Sequence, residues 1–203
     1  MTKWKSEKVR SDCKLRQVIA DRSKAMKLIK FLLSIVIVFF CFGSLMAQRP
    51  KYPRLPFVDK GACPFECCTY REWNVIKPTA IRTRMSDRSA VLFKAAKDEK
   101  IRGVTGVVIT TRAGVVRVLK NTKVGDISVS KGETLYLLTY LGEGFYKVWR
   151  KGRIIEENMT EEGSLKVVSQ PLSVWWMKVK NQRGQTGWSR EPDNFGNKDK
   201  CGS

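Results

Sequence analysis

The sequence predicts an all-β domain, and three observations carry this prediction. Short runs rich in β-branched and aromatic residues follow one another between residues 80 and 189. Glycine-containing turns separate these runs, as at Ala113-Gly114 and Gly142-Glu143-Gly144. Apolar residues tend to alternate with Lys or Arg in residues 145–150 and 175–180, which gives each strand one buried and one basic face. Short strands at this spacing favour a small barrel or a sandwich.

The strands are placed by hydrophobic pattern and by the turns between them. They are predicted at residues 80–83, 107–111, 115–119, 134–141, 145–150, 167–169, 174–180 and 186–189. Residues 90–97 are compatible with a helix, but this segment is short enough to be a strand instead.

The strongest single signal is the hydrophobic segment at residues 26–47. A short basic stretch precedes an apolar run at residues 31–46, and Ala47 stands before the polar Gln48-Arg49-Pro50. This pattern is typical of a secretory signal peptide cleaved after Ala47, with an uncleaved membrane anchor as the alternative. Residues 1–25 form a basic extension, which precedes the true start if translation begins at Met26. We therefore expect an extracytoplasmic protein, in the periplasm or at the cell surface, either secreted or anchored.

Charge and the absence of histidine limit the chemistry. The chain has a formal net charge of +20 and no histidine, which excludes Ser-His-Asp and Cys-His catalytic units and His-ligated metals. From Gln48 onward, 29 basic residues stand against 16 acidic residues, which leaves a net charge of +13. Export and the lack of a nucleic-acid-binding motif argue against a nucleic-acid partner and favour an anionic envelope polymer or a membrane surface. No cofactor is expected.

Four cysteines follow the hydrophobic segment, at Cys63, Cys67, Cys68 and Cys201. In an oxidising compartment they favour two disulfides, and because a bond between the neighbours Cys67 and Cys68 would strain the backbone, Cys201 should bond one of these two and Cys63 the other. The Cys-x-x-x-Cys-Cys spacing lacks a Cys-x-x-Cys redox motif, and a metal site would need thiolates where thiols are oxidised. We expect structural disulfides and no metal. Residues 48–72 are predicted as a proline-rich linker that contains the cysteine cluster.

Two stretches resemble a bacterial Src-homology-3-like (SH3-like) domain. Its first half is similar to Lys131-Gly132-Glu133-Thr134-Leu135-Tyr136-Leu137-Leu138 followed by Gly144-Phe145-Tyr146-Lys147-Val148. Its closing hairpin is similar to Trp176-Met177-Lys178-Val179-Lys180 followed by Gly184-Gln185-Thr186-Gly187-Trp188. The resemblance covers roughly residues 123–190 and implies an SH3-like barrel at 123–203.

An earlier segment, residues 73–122, resembles a degenerate first copy without the closing Gly-Trp, so the barrel is either single or the second of two in tandem. Residues 61–73 and 194–201 also look like a pairing seen in exported bacterial proteins of this kind, consistent with a long disulfide.

The resemblance implies recognition rather than catalysis. Such domains act as binding or targeting modules for cell-wall peptides or protein segments, so the chain is expected to be non-enzymatic. Aromatic side chains flanked by Lys and Arg are the candidate ligand contacts. They are Tyr140, Tyr146, Trp149, Trp175, Trp176 and Trp188.

Two other functions fit the sequence. One is a structural or assembly subunit of an envelope complex. The other is an envelope hydrolase that uses carboxylates, which needs no histidine. Its acidic cluster would be Glu156-Glu157 and Glu161-Glu162, which we interpret as part of a solvated loop.

Overall fold

The chain is all-β over the residues that the structure describes. The structure is a computed structural model, and it describes residues 51–160 and 163–201. These residues form fifteen β-strands and one short 3-10 turn at Pro192–Asn194, and they contain no α-helix. The predicted signal or anchor segment 26–47 and the extension 1–25 lie outside the described residues.

The strands are numbered in chain order. The first eight are β1 (Phe57–Lys60), β2 (Glu72–Val75), β3 (Thr79–Arg82), β4 (Val91–Ala95), β5 (Lys100–Arg112), β6 (Gly114–Val118), β7 (Thr122–Val124) and β8 (Ile127–Val129). The remaining seven are β9 (Thr134–Gly142), β10 (Phe145–Arg150), β11 (Arg153–Asn158), β12 (Leu165–Ser169), β13 (Leu172–Lys180), β14 (Thr186–Ser189) and β15 (Phe195–Gly196). The predicted bounds of β10 and β14 are confirmed, and β4 shows that residues 90–97 contain a strand rather than a helix.

The outer sheet is built around β5, a strand of 13 residues. β13 pairs with one edge of β5, from Leu172 opposite Arg112 to Lys180 opposite Arg102. β1 and β2 share its other edge. The full order is β15-β2-β5-β13-β14-β3-β4, with β1 as a further partner of β5.

The inserted sheet lies, in sequence, between β5 and β13. Its five antiparallel strands have the order β11-β10-β9-β6-β12, and β7 and β8 form a separate two-stranded hairpin. Because β5 and β13 are direct neighbours in the outer sheet, the whole inserted sheet occupies the connection between two paired strands.

The two sheets have the same strand order. Five strands of the outer sheet, numbered one to five in chain order, are β2, β5, β13, β14 and β15. Across the sheet they lie in the order 5-1-2-3-4. The five strands of the inserted sheet, numbered in the same way, are β6, β9, β10, β11 and β12. Read from β12, they also lie in the order 5-1-2-3-4. Each sheet also has a two-stranded hairpin between its first and second strand, β3–β4 in one and β7–β8 in the other. The chain therefore contains one arrangement twice, with the second copy inside the first.

Strand pairing differs from the grouping that the sequence suggested. The predicted barrel at 123–203 joined Lys131–Val148 to the hairpin that ends at Trp188. In the structure, β13 pairs with β5 and β14 pairs with β3, so this hairpin lies inside the outer sheet. Gly187-Trp188 therefore lies in the same sheet as β2 to β5, although the inserted sheet separates them in sequence. Local alternation identifies a strand but carries no information about its partner, which explains the difference.

Each sheet has its own core. The core of the outer sheet centres on Trp73, which is fully buried and contacts Phe195 and Trp175 at ring-centroid distances of 5.8 and 6.4 Å. Gly103 makes this packing possible, because a Cβ there would overlap the Trp73 indole. The core of the inserted sheet is mainly aliphatic and includes Leu135, Leu137 and Val148, with hairpin residues such as Val124 packed on it.

The C-terminal tail is fastened to the segment before β2. Disulfides join Cys63 to Cys68 and Cys67 to Cys201, a pairing within the alternatives that the sequence left open. The Thr69 amide donates to the Lys198 carbonyl at 2.7 Å, and the Arg71 guanidinium donates to Asn197 Oδ1 at 2.6 Å. The tail thus runs beside the start of the outer sheet and is held there covalently.

Glu133 anchors the turn that leads into β9. Its carboxylate accepts two hydrogen bonds from the Arg150 guanidinium, at 2.7 and 3.0 Å, and lies 3.1 Å from Lys151 Nζ. These bonds, led by the one from Arg150, hold the pKa of Glu133 down at about 2, although burial opposes the shift. The Lys131-Gly132-Glu133 motif that the sequence singled out is therefore a structural ion-pair site.

The long disulfide should contribute more to stability than the short one. Cys67 and Cys201 are 134 residues apart, whereas Cys63 and Cys68 are 5 apart. In the chain-entropy model, Cys67→Ser/Cys201→Ser should lower the free energy of unfolding by about 5 kcal/mol and Cys63→Ser/Cys68→Ser by about 2 kcal/mol. Urea denaturation followed by tryptophan fluorescence measures both. Equal losses in the two double variants would contradict the entropic account.

Glu133 should make stability depend on pH. Because its pKa is lowered from an ordinary 4.5 to about 2 in the folded state, its contribution is complete above pH 4.5 and disappears as the pH falls toward 2. Glu133→Gln should therefore destabilise the protein at pH 7, and the gap to wild type should close on acidification. Glu72→Gln, at an exposed ion pair with Lys100, is the control and should show a small gap throughout. Unfolding curves between pH 7 and 2.5 test this, and a gap that is constant with pH would rule it out.

Candidate functional site

Three of the six predicted aromatic residues line one cleft where the two sheets meet. Tyr140 comes from β9, Tyr146 from β10 and Trp175 from β13, and the cleft has a volume of about 440 Å³. We call it the aromatic cleft. Its other lining residues are Pro64, Val108, Gly144, Gln170, Pro171 and Ser173.

The two tyrosines form one wall and differ in exposure. Their ring centroids are 5.0 Å apart with an interplanar angle of 56°. Tyr140 is 38% exposed, whereas Tyr146 is 9% exposed and its hydroxyl donates to Gln170 Oε1 at 2.7 Å. Burial first, and then the neighbouring Tyr140, raise the pKa of Tyr146, so its hydroxyl stays protonated. Tyr146 is therefore a fixed part of the wall, and Tyr140 is the ring that a ligand can reach.

Trp175 forms the opposite wall and is held by packing on several sides. Its ring lies 5.8 Å from Phe65 in an edge-on arrangement, and its indole nitrogen lies beside the Tyr70 hydroxyl. Gly106 is required at this point, because a Cβ there would overlap both Trp175 and Tyr70. Burial raises the pKa of Tyr70 to about 12, against a lowering by Trp175, and its hydroxyl donates to the Ala62 carbonyl. The position of Trp175 is thus set before any ligand arrives.

The disulfide-bonded loop that contains Pro64 closes one end of the cleft. It lies against the turn between β9 and β10, where Gly142 has a φ of +113°. A Cβ on Gly142 would lie 2.6 Å from the Glu66 amide nitrogen, so this close approach requires glycine. The charge of Glu143, followed by burial, raises the pKa of Glu66 in this contact. The cysteine cluster therefore shapes the cleft as well as fastening the tail.

A second cleft adjoins the first and shares Pro64, Ser173 and Trp175 with it. Its volume is about 680 Å³, and it is lined further by Phe65, Val174, Arg190, Glu191, Pro192, Asp193 and Lys198. Lys198 Nζ lies 5.9 Å from the Phe65 ring centroid, and burial lowers its pKa while Asp193 and Asp199 oppose the shift. Charged groups thus begin on the far side of Trp175.

The other three predicted residues lie elsewhere. Trp149 is 7% exposed and packs with Leu138 and Ala113, with Tyr136 at a ring distance of 5.6 Å. Trp176 is 5% exposed, and because its neighbour Trp175 points to the opposite face, both faces of β13 are covered there. Trp188 is half-buried and lines a different cleft. The first two are placed as packing residues, for which the sequence offered no distinguishing signal.

Sequence reasoning missed the residues that come from loops. Gln170 and Pro171 lie between β12 and β13, and Pro64 lies inside the cysteine cluster. Proline and a polar amide between two strands are ordinary turn signals. Only their place in the folded structure identifies them as cleft residues. The structure also changes the interpretation of the acidic cluster. Glu156 and Glu157 belong to strand β11 and not to a loop, and Glu156 lies 3.7 Å from Lys147 Nζ, while Glu161 and Glu162 lie outside the described residues.

The cleft offers surfaces for recognition and none of its lining residues carries a charge at neutral pH. Two aromatic walls and two prolines present flat apolar surface, and the Tyr140 hydroxyl and the Gln170 amide present hydrogen-bonding groups. Among the described residues, Glu66, Cys67 and Cys201 have ligand atoms within 4.8 Å of one another, close enough to hold a metal ion. Both sulfurs are tied up in the Cys67–Cys201 disulfide, so they are not available as thiolate ligands.

No protein-family model, curated protein or solved structure matches the chain. Among residues 51–160 and 163–201, no helix has the length and apolar character needed to cross a bilayer.

The hydrogen bond between Tyr146 and Gln170 should couple the inserted sheet to the segment that leads back into the outer sheet. Tyr146→Phe and Gln170→Ala should each lower the free energy of unfolding, with a coupling energy of about 1 kcal/mol in the double-mutant cycle. Tyr140→Phe is the control, since its hydroxyl makes no hydrogen bond within the described residues, and it should be nearly neutral. Urea denaturation of the four cycle members measures the coupling, and additive losses would show that the bond does not contribute.

Proposed function

We propose that the chain is an exported, non-enzymatic binding module whose aromatic cleft recognises a short peptide segment of the cell wall. One observation carries the proposal: Tyr140 and Tyr146 of the inserted sheet and Trp175 of the outer sheet converge on one cleft where the two sheets meet. Uncharged aromatic walls with a few fixed polar groups suit an extended peptide backbone, which can stack against the rings and hydrogen-bond to Tyr140 and Gln170.

The repeated strand order supports an SH3-like nature for both sheets. Each sheet contains five antiparallel strands in one order, and in each case the chain forms a hairpin between the first and the second of them, which suits a small barrel. The motifs that resemble SH3-like domains are divided between the two sheets, with Lys131-Gly132-Glu133 before β9 of the inserted sheet and Gly187-Trp188 in β14 of the outer sheet. We propose two nested SH3-like barrels, the second inserted between two strands of the first, in place of a single or tandem arrangement.

Export to the periplasm or cell surface is supported by two independent features. Disulfides persist mainly in oxidising compartments, and the described chain has two of them. The hydrophobic segment 26–47 has the pattern of a signal peptide or anchor. The proposed ligand is therefore sought in the envelope.

An assembly subunit is the second candidate function, and one observation favours it. β4 lies at the end of the outer sheet and exposes Val91 and Leu92, which are 45% and 37% accessible. An apolar edge strand with unpaired backbone groups can accept a strand from a partner protein. A pull-down that retains a stoichiometric protein partner, lost on Leu92→Lys, would favour this function over wall binding.

Binding to purified cell-wall sacculi tests the proposed function. The full chain, kept soluble in a polyoxyethylene detergent, should be retained by sacculi, and Tyr140→Ala should weaken retention by about tenfold, the effect of losing one aromatic contact. Phe145→Ala is the matched control, because Phe145 is a 42% exposed aromatic residue close by in sequence that does not line the cleft.

Measuring retention at several salt concentrations distinguishes binding in the aromatic cleft from general attraction between opposite charges. Since no charged side chain lines the aromatic cleft, the difference between wild type and Tyr140→Ala should persist at high ionic strength. Wild-type protein that is not retained, or equal losses for Tyr140→Ala and Phe145→Ala, would overturn wall recognition by this cleft.

A further inference from the structure

A separate cleft surrounds Trp188 and has a different chemical character. It is formed by Trp188 together with the β3–β4 connection, and its volume is about 600 Å³. Two arginines line it, Arg84 and Arg88, along with Met85. We call it the arginine cleft.

Trp188 lies in the middle of a cationic row across three strands. It pairs with Lys178 of β13 on one side and with Arg82 of β3 on the other. Paired residues on neighbouring strands project from the same face of a sheet, so the three side chains share one surface. Lys178 Nζ lies 5.6 Å from the Trp188 ring centroid, within range of a cation–π contact.

The connection that carries the two arginines is shaped by its own hydrogen bonds. The Ser89 hydroxyl shares its one proton between the carbonyl oxygens of Ser86 and Arg84, which lie 2.8 and 3.0 Å from its Oγ. Arg82 Nη1 donates to the Ser89 carbonyl at 2.8 Å, which fastens the connection to the sheet. A loop held in this way loses little conformational freedom when a ligand binds.

The acid of this connection is already engaged. Asp87 Oδ2 lies 2.7 Å from Arg190 Nη1, so it compensates a cation outside the cleft. Within the described residues, the guanidinium groups of Arg84 and Arg88 have neither an ion-pair partner nor a hydrogen bond, and both side chains are exposed. Two sets of guanidinium donors are thus free beside a half-buried indole.

We infer that the arginine cleft binds phosphosugar groups of an envelope glycan. A guanidinium fork matches the oxygen geometry of phosphate, and two forks beside each other can hold one phosphate or two successive ones. The indole provides a flat surface on which the C–H face of a sugar ring can lie. The inference rests on the proposed role of the chain in envelope binding, but it concerns a different cleft from the one that carries that role.

Small soluble probes test the inference with the full chain in polyoxyethylene detergent, which carries neither sugar nor charge. Binding of glucose 6-phosphate, inorganic phosphate, glucose and glucuronate is followed by saturation-transfer NMR and tryptophan fluorescence. Glucose 6-phosphate should bind about tenfold more tightly than either phosphate or glucose alone, because it uses both the guanidinium groups and the indole. Equal binding of glucose 6-phosphate and phosphate, or tighter binding of glucuronate, would overturn the phosphosugar assignment.

Variants locate the site. Arg84→Ala/Arg88→Ala should weaken glucose 6-phosphate binding by about tenfold or more, since two charge-assisted contacts are lost. The control Lys123→Ala/Arg153→Ala also removes two positive charges, at exposed positions of the β7–β8 hairpin and the inserted sheet. It should bind glucose 6-phosphate as wild type does. Equal losses in both double variants would mean that only net charge matters and would overturn the inference.

Two further outcomes are decisive. If the protein binds phosphatidylglycerol vesicles through Arg84 and Arg88 but does not bind glucose 6-phosphate, the ligand of the arginine cleft is a membrane surface and not a glycan.

Tyr140→Ala should leave glucose 6-phosphate binding unchanged. If phosphosugar binding fails while Tyr140-dependent retention on sacculi remains, this inference falls alone, and the reverse result removes only the peptide-binding function.

Discussion

The pairing of β5 with β13 is the constraint on which the rest of the structure depends. These strands are separated in sequence by the entire inserted sheet, yet Arg112 and Leu172 lie opposite each other at the point where the chain leaves and returns. A long connection between paired strands costs chain entropy that grows only slowly with length. The cost is offset here because the connection folds around its own aliphatic core. The outer sheet can therefore form as if β5 and β13 were joined directly.

The aromatic cleft is a consequence of this insertion. Tyr140 and Tyr146 belong to the inserted sheet, Val108 and Trp175 to the outer sheet, and the cleft exists only where the two come together. Their relative position is fixed by more than the covalent junction. Lys147 of β10 forms a 2.8 Å ion pair with Asp59 of β1, and the disulfide-bonded loop lies against Gly142. A cleft with walls from two sheets needs such cross-contacts if its shape is to be set before a ligand binds.

Local features of the structure could be predicted from the sequence, whereas its connectivity could not. The sequence places β10 and β14 to the residue, because a glycine turn precedes each strand, at Gly144 and at Gly184. β11 was missed because Glu156 and Glu157 hide the pattern, and β15 because two residues carry no periodicity. The cysteines left Cys67 and Cys68 as alternatives for Cys201, since spacing excludes strained bonds but does not choose between adjacent positions. No local sequence signal predicts that β13 pairs with β5.

The candidate residues illustrate the same division. Trp149 and Trp188 look alike in sequence. Each lies in a predicted strand, and each has an arginine within two residues of it. Trp149 is buried against Leu138, whereas Trp188 is half-buried between two cations. The difference comes from what covers each face, and this depends on long-range packing. Sequence reasoning therefore identifies the set of aromatic residues from which a site is built, and the topology selects among them.

Net charge alone describes the surface poorly, because several of the basic residues form ion pairs within the fold. Arg150 is used by Glu133, Lys147 by Asp59 and Arg190 by Asp87. A cation that is already compensated adds little to the attraction of an anionic ligand, since its field is largely cancelled at short range. Arg84 and Arg88 differ because the acid between them in sequence turns toward Arg190. The position of one carboxylate, that of Asp87, therefore leaves two uncompensated guanidinium groups beside Trp188, whereas the aromatic cleft has no charged lining residue.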